Sequence, residues 1–182
     1  MSFLALISFA SALSWLALRL RGRRVELKVA MRLGMGCGFV FTGIDHFLSA
    51  ATRYVPMIPD PLQPYALELV YFTGAAELAG GLALLVPTSI CLRLRLSHLQ
   101  RVAGIALAVL LVCVVPANIN VAIKGMTVQG LDFGAWYFWI RPLFQPVFVL
   151  WALYCVGAWP YDAQRQCNNL PSSETSSLGI KR

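Results

Sequence analysis

The sequence predicts an all-α integral membrane fold, a four-helix bundle with an additional N-terminal apolar helix, and two observations carry that expectation. Of the 182 residues, 58% are hydrophobic and 13% are charged, about half the charge of a soluble domain. The apolar residues also fall into runs near the roughly 20 residues needed to cross a hydrocarbon core. The net charge of +7 would suit a nucleic-acid partner in a soluble chain. Here the basic residues flank the apolar runs, so the expected partner is the lipid bilayer and not nucleic acid.

The first run covers residues 2–18 and has no basic residue before it, whereas Arg19, Arg21, Arg23, Arg24 and Lys28 follow it. A secretory signal carries its positive charge ahead of the apolar stretch, so a retained helix is expected. At about 17 residues it sits at the short limit for a span, and both a crossing and an interfacial helix fit. Four longer runs follow, at about 27–50, 67–86, 102–123 and 141–159. Pro64 and Pro87 bound the second. The chain thus divides into an N-terminal helix with its basic connection (1–26), a transmembrane domain (27–160) and a tail (161–182). The tail is polar and Ser-rich, a composition that predicts disorder.

Orientation follows from the basic residues. Arg93, Arg95 and Arg101 separate the second and third long runs, while the connections after the first and third hold only Arg53, and Lys124 with Arg141. The positive-inside rule places the richer connections in the cytoplasm and the other two outside. The result is a multi-pass protein of the cell membrane with its N-terminus outside and its C-terminus cytoplasmic. The outer connection over 54–65 is too rich in proline to be helical, and predicts an ordered cap lying across the bundle. The other carries Trp136, Tyr137, Phe138 and Trp139, an aromatic group suited to headgroup level.

Ionisable residues inside the runs are the candidate site. Asp45 and His46 lie near the outer end of the first long run, and Glu77 lies near the middle of the second. Asn118 and Asn120 fall within two turns of the outer end of the third. Arg141 opens the fourth, with Gln145 one turn deeper on the same face. The inner halves of these runs are almost wholly aliphatic. Gly34, Gly38, Phe41 and Asp45 share one helical stripe, and Gly74, Glu77 and Gly81 share another, with small residues that admit a neighbouring helix. Asn118 and Asn120 point different ways, so at most one joins a cluster.

Each residue also has a plainer reading: Glu77 as a hydrogen-bonded pin, Asp45 as the counter-charge of Arg53, His46 as a packed histidine, Arg141 as an interfacial anchor. Their convergence on one half of the helices favours a shared, outward-facing ligand pocket formed by Asp45, His46, Glu77, Asn118, Arg141 and Gln145. No metal is expected, because these groups lack repeated ligand spacing. Cys37, Cys91, Cys113, Cys155 and Cys167 contain no C-x-x-C pair and read mostly as packing groups. No Ser or Cys stands beside a base for nucleophilic catalysis. The residues name no cofactor and no reaction.

Gly43-Ile44-Asp45-His46-Phe47, Tyr71-Phe72-Thr73-Gly74-Ala75-Ala76-Glu77 with Leu84-Leu85-Val86-Pro87, Pro116-Ala117-Asn118-Ile119-Asn120 and Arg141-Pro142-Leu143-Phe144-Gln145 occur in this order. Over residues 27–157 this set resembles the DoxX-like family of small bacterial four-helix membrane proteins. The resemblance implies a bacterial cytoplasmic-membrane bundle. The family's name comes from a subunit associated with thiosulfate:quinone oxidoreduction, though fold resemblance does not transfer chemistry. Two roles stay open: a pocket for a small amphipathic, quinone- or lipid-like ligand in a redox or envelope pathway, and a non-catalytic subunit that recruits a membrane protein partner.

Overall fold

The computed structural model describes residues 3–22, 26–125 and 135–159. Among them all regular structure is helical. Four stretches are long and apolar enough to cross a membrane: Phe3–Leu20, Leu27–Leu48, Asp60–Leu85 and Leu99–Lys124. Large apolar side chains such as Phe9, Leu20, Phe72 and Ile123 face outward from them, a surface that suits lipid rather than water. These features indicate a multi-pass membrane protein. The tail expected over 161–182 lies outside the described residues.

Helix α1 (Phe3–Leu20) is regular for 18 residues, roughly 27 Å. It lies against α2 (Leu27–Leu48) rather than standing apart. A methyl group added at Gly34 would lie 2.0 Å from Ser11 Oγ and 2.7 Å from the Ile7 carbonyl oxygen. Gly34 and Gly38 therefore receive α1, and Phe3 and Leu6 of α1 reach along the same side of α2 to the space beside Phe41 and Asp45. Ile7 is fully buried, and the Phe3 ring packs edge-on against Phe148 at 5.1 Å and tilted against Phe39 at 5.4 Å.

The opposite side of α2 meets α3 (Ala66–Leu85) through a second pair of glycines on each helix. A methyl group at Gly43 would sit 2.8 Å from the Leu78 nitrogen, and one at Gly81 would sit 2.9 Å from the Val40 nitrogen. Gly36 faces Gly81 and Gly43 faces Gly74, so the two antiparallel backbones nearly touch along two turns. Close backbone approach of this kind is how membrane helices associate without a hydrophobic driving force.

Beyond α3, the short α4 (Thr88–Arg93) leads to α5 (Leu99–Cys113) and α6 (Val115–Lys124). The run expected to be one helix breaks at Val114, one residue before a turn that contains Pro116; proline supplies no donor to the preceding turn. Gly125, with φ of 59°, closes α6 in the left-handed conformation that glycine accepts freely. The last expected span is also in pieces. The aromatic group begins α7 (Ala135–Ile140), a 3₁₀ turn covers Arg141–Phe144, and α8 (Gln145–Cys155) has 11 residues. Pro142 and Pro146 each sit at the start of a piece, where a missing donor costs least.

The proline-rich connection does form helical turns, but short ones. A π turn spans Ala50–Tyr54, and 3₁₀ turns span Val55–Met57 and Asp60–Tyr65. They cover the ends of α3 and α6, and the Asn120 amide donates to the Met57 carbonyl at 3.1 Å. Around the centre α2 packs on α3, α3 on α5, α5 on α8, and α8 returns to α2. The core between them joins Met35, Phe39, Leu84, Leu107, Leu111 and Phe148.

The inner half is not wholly aliphatic. Arg32 is buried and donates to the carbonyls of Leu84 at 2.8 Å and Val86 at 3.2 Å. Those carbonyls belong to the C-terminal end of α3, where the helix leaves acceptors unsatisfied and carries partial negative charge. Arg32 thus acts as an interhelical cap, a role invisible in its apolar surroundings.

Candidate functional site

The site begins with two residues one turn apart on α2. Thr42 and His46 are separated by four positions and so lie on one face. The Thr42 hydroxyl donates to Glu77 Oε2 at 2.6 Å. His46 Nδ1 lies 2.9 Å from the Thr42 carbonyl oxygen and 3.5 Å from Glu77 Oε2. A carbonyl only accepts, so the proton sits on Nδ1, and in the neutral ring Nε2 is the acceptor. The α2–α3 approach sets this geometry: a methyl group at Gly74 would lie 2.5 Å from His46 Cβ. Only glycine at that position admits the imidazole beside Glu77.

Tyr54, from the π turn, stacks its ring on His46 with centroids 3.8 Å apart and planes 21° from parallel. Its hydroxyl donates to Asp45 Oδ2 at 2.7 Å. Burial first, and then the neighbouring Asp45 carboxylate, push the Tyr54 phenol well above its usual range, so it remains a neutral donor. Asp45 pairs with Arg53, accepts from Ser49 Oγ at 3.0 Å and lines a neighbouring space with Thr42, Tyr54 and Arg141. Its plainer reading, as counter-charge of Arg53, is the one the structure supports.

The other expected residues do converge. His46, Glu77, Asn118, Arg141 and Gln145 line one cavity of about 90 Å³, with Thr42, Tyr54 and apolar groups completing its wall. Glu77, Asn118 and Gln145 are buried. Gln145 Nε2 donates to the Leu111 carbonyl at 2.6 Å, one turn before the break at Val114. It therefore secures α8 to α5. Asn120 faces the cap, as its spacing from Asn118 requires.

Arg141 is the unusual member. Its Nη1 is buried and has no hydrogen-bond partner among the described residues. It lies within electrostatic range of Glu77 and His46, but neither forms an ion pair with it. A buried donor without a partner costs about 1–3 kcal/mol, more when charged, which singles out Arg141 as the group in this chamber with hydrogen-bonding capacity to spare.

The chamber continues into two larger spaces. One of about 360 Å³ runs between α3 and the α5–α6 break beneath the cap, sharing His46, Tyr54, Glu77, Asn118 and Arg141 and otherwise walled largely by apolar residues such as Leu69, Val70, Leu110 and Leu62. Another of about 300 Å³ opens beside Phe3, Phe41, Asp45 and Tyr137. Among the described residues no group of three metal-ligating side chains converges.

Sequence reasoning passed over Thr42, Tyr54, Phe3 and Arg32. Thr42 carried a usable signal, since four residues separate it from His46. Phe3 carried none, because a separate helix brings it in, and Tyr54, though close in the chain, returns to His46 only through the π turn.

Residues 35–156 match the family model described as Domain of unknown function (DUF8561). No curated protein and no solved structure matches the chain. The match takes in every residue of the polar chamber except Phe3 and begins inside α2, leaving α1 outside it.

Proposed function

The chain belongs to the DUF8561 family, and from that premise we propose that it is a membrane protein binding a small amphipathic ligand in its polar chamber. The observation that carries the proposal is the union of two spaces. A chamber with buried polar groups opens, through the shared residues His46, Glu77, Asn118 and Arg141, into a mostly apolar groove. A polar head in the first and an apolar tail in the second is the occupant such a shape accepts. On this reading α2, α3, α5–α6 and α7–α8 form a DoxX-like four-helix bundle in the cell membrane, with α1 as an additional helix. The chamber and the cap face outward and the C-terminus is cytoplasmic, as the placement of basic residues requires. The ligand is quinone- or lipid-like, and the protein is an accessory to a redox or envelope pathway.

The test is mass spectrometry of the purified protein in lipid nanodiscs, comparing wild type with the His46→Ala, Glu77→Ala double variant. The expected outcome is a co-purifying small molecule present with the wild type and lost from the folded variant. A membrane protein retained by both, with no small molecule in either, would replace this reading with that of an assembly subunit.

A further inference from the structure

We propose that the head this chamber accepts is a carboxyl group: the ligand is a single-chain carboxylic acid that enters sideways from the bilayer. This inference rests on the amphipathic-ligand reading above and adds the ligand's class and its route.

The chamber offers two kinds of polar group on different elements. Arg141 presents a buried guanidinium nitrogen with no partner among the described residues, and Asn118 lines the same wall. The same cavity is lined by Glu77 and by His46, whose Nδ1 is engaged by the Thr42 carbonyl oxygen. An occupant that satisfies both kinds needs an acceptor oxygen next to a donor hydrogen. A hydroxyl carries both on one oxygen, whereas a carboxyl group sets them on two oxygens and so reaches groups on different elements. Its two oxygens also match the planar fork of an arginine better than a single hydroxyl does.

Charge and size narrow the choice further. Arg141 and Glu77, groups of opposite sign, line the same buried chamber. An acid that arrives with its proton leaves that balance unchanged, and the two carboxyl groups then hold one proton between them, as close carboxyl pairs do. A permanently charged phosphate head would upset the balance. The polar cavity of about 90 Å³ adjoins a groove of about 360 Å³ walled mostly by apolar residues, which gives an apolar chain room beside the head.

The route follows from where the groove lies. It runs between α3 and α6, and its wall includes Phe72, whose side chain is 68% exposed on the lipid-facing surface. The cap above it is closed by Asn120 bonding to Met57. A ligand dissolved in the bilayer therefore reaches the chamber between helices, without passing through water.

The experiment uses the full chain in detergent with parinaric acid as the fluorescent probe, displaced by palmitic acid, hexadecanol, methyl palmitate, a lysophosphatidylcholine and a short-chain ubiquinone analogue. Palmitic acid is expected to displace the probe at least tenfold more effectively than the alcohol, ester, lysolipid or quinone. Arg141→Gln should remove that preference, and Arg141→Lys should keep part of it. Ala117→Trp, which fills the groove, should abolish binding, whereas Ile119→Trp on the exposed neighbouring face should not. Equal displacement by acid, alcohol and ester, or stronger displacement by the quinone or lysolipid, overturns the carboxyl assignment and leaves the amphipathic reading standing. Binding by no amphiphile, with Ala117→Trp indistinguishable from wild type, overturns both. The head-group ranking on the wild type decides the matter even if the Arg141 variants fail to fold.

Discussion

At the scale of single residues, the site is an arrangement of hydrogen bonds that joins Thr42, His46 and Glu77 across two helices. Thr42 illustrates the energetic weight of such a bond. Its hydroxyl reaches Glu77 Oε2 at 2.6 Å in surroundings with little water to replace it. A hydrogen bond to a charged or buried acceptor contributes about 1.5–3 kcal/mol, and leaving Glu77 without that donor forfeits it. Thr42→Val, close in shape, should therefore lower the melting temperature in detergent by several degrees, whereas Thr42→Ser should stay near wild type. Equal melting of the two variants would show that the bond contributes nothing. His46 and Thr42 are legible together in the sequence from their spacing of four. The pairing of Asp45 with Arg53 is legible as one of two readings, but the part of Tyr54 in it is not, because it depends on a π turn at Ala50–Tyr54 that folds the chain back on itself.

At the scale of elements, glycine decides which helices touch. α2 carries glycines at 34, 36, 38 and 43, and periodicity alone assigns them to faces without saying which neighbour each face meets. The structure divides them: Gly34 and Gly38 receive α1, and Gly36 and Gly43 receive α3. Gly34→Ala should consequently destabilise the α1–α2 pair by about 1–3 kcal/mol, the usual cost of overpacking a tight interface. Adding Ser11→Ala should not restore stability, because the Ile7 carbonyl oxygen and Ser11 nitrogen also lie 2.7 Å from the new methyl group. Thermal unfolding in detergent measures both, and an unchanged melting temperature for Gly34→Ala would mean that α1 is not seated there in solution. The breaks in α5–α6 and α7–α8 belong to the same scale. Pro116, Pro142 and Pro146 announce them in the sequence, yet their surroundings still read as continuous apolar runs.

At the scale of the whole molecule, the proposed orientation makes a single prediction about sidedness. The connection containing Arg93, Arg95 and Arg101 and the segment following α8 lie on one side of the membrane, and the cap over Val55–Met57 and Asp60–Tyr65 lies on the other. A reporter active only outside the cell should be silent when fused at residue 182 and active when inserted among residues 55–63. Activity at residue 182 would invert the topology and turn the chamber toward the cytoplasm.

Composition, run length and hydropathy were enough to establish a helical chain for a bilayer, because lipid leaves the backbone few ways to satisfy its own hydrogen bonds. They were also enough to single out His46, Glu77, Asn118, Arg141 and Gln145, since polar groups in apolar runs are costly and therefore conspicuous. Partnership was another matter. That Glu77 is held by Thr42 and His46, that Gln145 serves Leu111, that Arg32 caps α3 and that Arg141 keeps a buried nitrogen without a partner among the described residues depends on distances of a few ångströms between helices. Only the close approach of glycine faces and the fold of the cap fix those distances, and neither is written in the periodicity of any one segment.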